Sequence, residues 1–264
     1  MDGIITSVND EEDKKNHFKE LVFHNCVINA QYHVENSDID KLVFNFSKVG
    51  ESGRLRLSQC NIGEYTAGCS SVFGQMDVVG TEIGSIDFEG SCVQGFILFQ
   101  GNEVKDFTNR QTLRLLKNEA LKINDNVAAT RLYAKEMEML LKDKSVSFWD
   151  KASLRLSKWF SGFGESWGRA LLVTLTMSVV LTLLMLGFGS TKYAFNPTGE
   201  FMGMGSFITS LLDSINVFSI PLFSDTIKEY GLNVWGQLLY FIIKIVVAYG
   251  TYQFIMAFRK YGRN

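Results

Sequence analysis

From Ala170 to Phe188 and from Val234 to Phe258 the chain is almost continuously apolar, and no other feature constrains its fold as much. At a rise of about 1.5 Å per residue, a helix over either run is long enough to cross a hydrocarbon core of about 30 Å. The sequence therefore predicts a polar front followed by two transmembrane helices.

Flanking charge sets the expected orientation, because Lys and Arg gather on the cytoplasmic side of short membrane loops while acids count for little. Lys151, Arg155, Lys158 and Arg169 precede the first run and Arg259, Lys260 and Arg263 follow the second, whereas the connecting residues 189–233 contain only Lys192 and Lys228. Both termini are expected to be cytoplasmic. Residues 1–15 are acidic and lack an apolar core, so no signal peptide is expected. Cys26, Cys60, Cys69 and Cys92 should then be free thiols in a reducing compartment.

Residues 1–104 contain 7 Lys/Arg against 16 Asp/Glu, and residues 105–169 contain 13 against 8. An acidic head thus adjoins a basic neck. Self-repulsion of the head and attraction of the neck to anionic lipid explain this; a neck site for a polyanion is the alternative.

Within the head, two apolar residues at i and i+2 and a third five residues later recur at Leu21/Phe23/Ile28, Leu42/Phe44/Val49, Leu55/Leu57/Ile62, Ile86/Phe88/Val93 and Ile97/Phe99/Val104. The i, i+2 step places two side chains on one strand face, and the five-residue step resembles a degenerate pentapeptide-repeat β-solenoid with inward corners every five residues. The starts lie 21, 13, 31 and 11 residues apart, without a clean coil period, so a small irregular β-sandwich is an equal alternative. His24, Cys26, His33, Cys60 and Cys69 lack the spacing of a structural zinc site, which points to buried thiols at Cys26 and Cys60 and to no metal or cofactor. No nucleophile elbow, phosphate loop or zinc-protease motif occurs, so no enzyme is expected.

From Thr108 the period becomes helical. Leu113, Leu116, Ala120 and Ile123 form one stripe, residues 124–126 a turn, and Val127, Leu132, Met137, Leu140 and Leu141 a second stripe, predicting an antiparallel hairpin. Arg110, Arg114 and Lys117 on its outer face read either as a solvated helix face or as candidate ligand-binding residues for phosphates. From Phe148 to Trp167, aromatic and aliphatic residues recur every three or four positions opposite Lys151, Arg155 and Lys158, as in a helix lying in the headgroup layer.

Between the spans, Met204, Phe207, Ile208, Leu211, Leu212 and Ile215 oppose Ser206, Thr209, Ser210, Asp213 and Asn216, and an apolar Pro-broken segment, Val217 to Phe223, follows. Either a re-entrant pore helix or a helix resting on the outer membrane surface fits this pattern. Gln237, Tyr240, Lys244, Ala248 and Thr251 form a polar stripe along the second span, candidate pore-lining residues together with Asp213. Lys244 lies ten residues beyond Val234, about 15 Å deep, where a lysine needs water, a bundle interior or an acidic partner. Thr174, Ser178 and Thr182 give the first span a matching hydroxyl stripe. Two spans cannot enclose a water path alone, so a cyclic homo-oligomer follows from the pore reading.

The hairpin sequence Arg131-Leu132-Tyr133-Ala134-Lys135-Glu136-Met137, the stretch Ser166-Trp167-Gly168-Arg169 before the first span and the terminal Ala257-Phe258-Arg259-Lys260-Tyr261-Gly262 resemble the two-span membrane effector channels of bacterial anti-phage defence, most of all the channel subunits of the Hailong system, over roughly residues 108–264. The resemblance implies a homo-oligomeric, ligand-gated ion channel of the bacterial inner membrane, with a tetramer as the expected assembly. It also implies a DNA-oligomer ligand, made by a partner nucleotidyltransferase, and depolarisation of the infected cell. A non-conducting membrane-anchored scaffold is the competing class.

The expected architecture is an α+β membrane protein with a β-rich cytoplasmic head over 1–104, a helical hairpin neck over 105–145, an interfacial helix over 146–169 and a two-span domain over 170–264. Its topology is testable: a cysteine introduced at Thr198 should react with an impermeant thiol reagent outside whole cells, and one at Asn264 should not. The opposite labelling pattern reverses the orientation.

Overall fold

A computed structural model describes residues 15–190, 204–216 and 231–259. The acidic residues 1–14, the segment from Val217 to Phe223, and Lys192, Lys228, Lys260 and Arg263 lie outside the described residues. The chain divides into two compact units, 1–136 and 137–264.

The first unit is a β-solenoid. Its strands are β1 (Asn16–His24), β2 (Val27–Ile28), β3 (Gln31–Glu35), β4 (Ser37–Asn45), β5 (Lys48–Val49), β6 (Arg54–Ser58), β7 (Asn61–Thr66), β8 (Ser71–Val72), β9 (Gln75–Val79), β10 (Glu82–Asp87), β11 (Cys92–Val93), β12 (Phe96–Gln100) and β13 (Glu103–Phe107). They pair in parallel into three sheets, ordered β1-β4-β7-β10-β13, β2-β5-β8-β11 and β3-β6-β9-β12, so each turn of chain adds one strand to every face. The sandwich alternative is thereby excluded for this unit.

Strand register explains the irregular repeat. Asn16 pairs with Ser37, 21 residues on; Asp38 pairs with Asn61, 23 on; Asn61 with Glu82 and Glu82 with Glu103, each 21 on. The two extra residues fall between β5 and β6, at Gly50–Gly53, since Val27 pairs with Lys48 but Gln31 with Arg54. Leu21, Leu42 and Ile86 are on the first sheet and Leu55 and Ile97 on the third. Their spacings therefore mix whole coils with steps between faces, and the corners do not recur every five residues.

Stacking fills the interior with like on like. Leu21, Leu42, Tyr65, Ile86 and Phe107 form one inward column, and Leu55, Met76 and Ile97 another, all buried. Each such side chain contributes roughly 1.5–3 kcal/mol by leaving water. At one corner Ser47 and Ser70 donate to the carbonyls of Phe23 and Phe44, while the amides of Cys26 and Ser47 donate to the hydroxyls of Ser47 and Ser70. Cys26 thus begins a serine column and is only half-buried, a correction to the expected buried thiol; Cys60 is buried, and Cys69 and Cys92 are exposed. Burial pushes the Cys60 thiol above its ordinary pKa.

The final coil is closed by α1 (Arg110–Lys122), followed by α2 (Asn126–Lys142). Asn109 caps α1, Thr112 Oγ1 accepts the amide of Phe88, and buried Glu119 accepts the amide of Ile97. These bonds occupy two amides of the last coil, that of Ile97 within β12 and that of Phe88 just past β10, and so help to blunt an edge open to aggregation. They also explain why α1 belongs to the solenoid unit and the division falls within α2.

The second unit contains α3 (Phe148–Ser161), α4 (Trp167–Gly189), α5 (Met204–Ile215) and α6 (Val234–Phe258). The amphipathic helix is shorter than its periodicity predicts, because Gly162 at φ 61° ends it in a left-handed cap. α4 and α6 are long and apolar enough to cross a membrane, with only 22% and 33% of their most apolar windows buried. A core helix of a soluble protein would be covered; here Leu172, Phe188, Trp235 and Ile255 are among many exposed apolar side chains.

Close stacking leaves no space for a side chain at Gly74, where a Cβ would lie 2.2 Å from the Gly53 carbonyl oxygen and 2.3 Å from that of Gly50. Gly74→Ala is expected to destabilise the solenoid by about 2–3 kcal/mol, because backbone rather than a flexible side chain must move. Thermal unfolding followed by the β-sheet circular dichroism signal measures this; an unchanged midpoint contradicts it.

Candidate functional site

α4 and α6 run antiparallel, with Gly189 against Gly236 at one end and Gly250 against Thr174 towards the other. Small residues at these crossings let the backbones approach as in packed membrane helices. Tyr240, Ile243 and Val247 of α6 meet Met185 and Leu186 of α4 in a buried apolar cluster that also receives Phe207 of α5. Ser178 and Thr182 face inward and are buried, and their hydroxyls have no hydrogen-bond partner among the described residues.

A polar centre sits within this apolar frame. The Lys244 ammonium, on a residue 7% exposed, donates to the backbone carbonyls of Asp213 and Asn216, the latter at 2.7 Å. Tyr240 donates its hydroxyl to the Asp213 carboxylate at 3.0 Å, and its ring lies under the ammonium, 4.9 Å from centroid to Nζ. The carbonyls that end a helix have no partner within it and carry its negative partial charge. Lys244 therefore serves as a C-terminal cap for α5, delivered from another helix.

This bond fixes how α5 sits. A helix on a water surface turns its polar side outward, whereas here Ser210 is buried and Asp213 turns to Tyr240 while Ile208 and Leu212 are 49% and 62% exposed. Exposed Thr209 satisfies its hydroxyl on the Gly205 carbonyl. α5 thus turns Ser210 and Asp213 inward beside Phe207 and leaves Thr209 outward together with Ile208 and Leu212, and its C-terminal end lies at the level of Lys244, eleven residues into α6.

The sequence-derived stripe divides accordingly. Tyr240 and Lys244 are brought together with Asp213, while Gln237, Ala248 and Thr251 are exposed. The Gln237 amide donates to the Leu232 carbonyl and the Thr251 hydroxyl to that of Val247. The carbonyl of Asn216 carries no side-chain signature, so sequence patterning could not single it out. Nor did it reveal the second polar link, in which Ser161 of α3 donates to Gln253 of α6 at 2.8 Å and Gln253 to the Tyr249 hydroxyl.

In the first unit, Arg110, Arg114 and Lys117 converge on one carboxylate, Glu136, which is 2% exposed. The distances are 3.8, 2.6 and 2.8 Å. Three cations around one acid leave the cluster net positive, but every one of them already has an internal anion. Burial by itself would raise the Glu136 pKa; hydrogen bonds from Lys117 and Arg114, with their charges, outweigh it and hold the carboxyl below its ordinary value of 4.5.

Comparison of the chain with protein families, curated proteins and solved structures finds no match.

Because the folded-state pKa of Glu136 lies below the unfolded one, its contribution to stability is present above about pH 4.5 and lost as pH falls through the folded value. Glu136→Gln should lower the unfolding midpoint at pH 7 and flatten the acid limb of the stability curve. Identical acid limbs in the two proteins would show that the cluster adds nothing.

Proposed function

We propose that this chain is the subunit of a homo-oligomeric ion channel that crosses a bacterial inner membrane twice, with both termini cytoplasmic and the solenoid unit as its ligand-receiving part. The observation that carries this reading is the C-terminus of α5, capped by Lys244 from within an apolar helix. A short helix that brings a buried serine, a carboxylate and its terminal carbonyls inward beside an apolar span fits a re-entrant segment, a kind of element that lines pores.

Aromatic placement supports the membrane part. Trp167 at the start of α4 packs on Phe254 and Phe258 near the end of α6, and exposed Trp235 stands at the other end. Trp235 and Phe254 are about 28 Å apart by helical rise, close to a hydrocarbon thickness. Ala248 and Thr251 continue the stripe uncovered, offering a face to further copies around a cyclic axis, with a tetramer as the expected assembly. The resemblance of the hairpin and span sequences adds the wider proposal of an anti-phage effector. In it, an oligonucleotide from a partner nucleotidyltransferase acts through the net-positive Arg110, Arg114 and Lys117 cluster, and opening depolarises the membrane.

A non-conducting anchor is favoured by one observation, that Lys244 finds acceptors inside its own chain. Lys244→Met keeps the length and removes the charge, leaving the α5 carbonyls without that donor. Under the channel reading, planar-bilayer recording of the purified oligomer gives a current whose conductance or ion preference changes in the variant. Under the anchor reading no unitary current occurs in either protein, and only stability falls, by about 1–3 kcal/mol for unsatisfied buried acceptors.

A further inference from the structure

Between the last solenoid coil and the helical hairpin lies a cavity of about 620 Å³. β12 and β13 line one side, α1 and the start of α2 the other, and the buried side chains of Phe107, Leu116 and Leu132 supply apolar lining. This volume falls within the range that holds a small organic ligand. Arg110, Arg114 and Lys117, which turn to Glu136, are not among its lining residues.

Charge is concentrated where the cavity meets solvent. Lys105, Arg131 and Lys135 are exposed lining residues, set against the acids Glu103 and Asp125. Asp125 is already engaged, accepting the Ala128 amide at 2.9 Å as it caps α2. Lys135 lies 4.6 Å above the Phe107 ring centroid, which ties the cationic rim to the apolar wall. Lys105 and Arg131 have no ion pair among the described residues.

The lining discriminates among ligand chemistries. Inorganic anions would leave the apolar wall wet, and a neutral apolar molecule would gain nothing from the cationic rim while lying beside it. Three cations against two acids match a single negative charge better than several. We propose that this cavity binds an amphiphilic organic anion, an aromatic or aliphatic body bearing one anionic group. The site goes beyond the channel reading and does not depend on it, since binding and current are separate measurements.

Isothermal titration calorimetry on the full chain in lipid nanodiscs tests this with 2-naphthalenesulfonate, neutral 2-naphthol, 2,6-naphthalenedisulfonate and inorganic phosphate as probes. Saturable sulfonate binding is expected, tighter than for the other three. The Arg131→Glu/Lys135→Glu double variant should weaken it roughly tenfold or more, since each reversal replaces an attraction with a repulsion. Ala128→Trp, which places a large ring in the cavity, should abolish it. Absence of sulfonate binding, equal binding of naphthol, disulfonate or phosphate, or binding indifferent to the charge reversals each overturns the proposal. If Ala128→Trp does not fold, as judged by circular dichroism, the charge-reversal result decides by itself.

Discussion

A backbone amide or carbonyl that leaves water must find a partner, and both units of this protein depend on side chains that supply one where the backbone cannot. In the solenoid, Thr112 and Glu119 of α1 take amides of the last coil. In the second unit, Lys244 takes the carbonyls at the end of α5. Neither contact is large in area. Each decides where a whole element can sit, because the alternative is a row of orphaned polar groups.

The same requirement orders the solenoid interior. Parallel strands bond coil to coil, and the serine column closes a corner by donating to carbonyls one coil back while accepting the amides there. Column stacking of apolar side chains then needs only a constant register. The two-residue insertion at Gly50–Gly53 is tolerated because it lies at a corner, between β5 and β6, and leaves the stacked positions aligned.

Charge plays different roles in the two units. Around Glu136 three cations gather on a buried acid at the side of the hairpin, a local lock that the outer-face pattern of Arg110, Arg114 and Lys117 did not disclose. Glu136 sits in sequence among helix-forming residues with nothing to mark it as buried. At Lys244 a single ammonium is held by the carbonyls that end α5 and faces a tyrosine ring, so the dipole of the helix it caps helps to fix its position.

Periodic features were legible from residues alone. The bounds of α6 follow its apolar run, the hairpin breaks at residues 123–125, within one residue of the expected turn, and the i, i+2 alternation marks the strands of the head. These depend on contacts between near neighbours, where spacing maps directly onto geometry. Whether the strands close as a solenoid or a sandwich, which side of α5 turns inward and which charges meet Glu136 depend on partners 19 to 31 residues away. Local spacing says nothing of such pairs: the same amphipathic α5 could present Ser210 and Asp213 to water, and the packing of Lys244 and Tyr240 against Asp213 and Asn216 turns them inward.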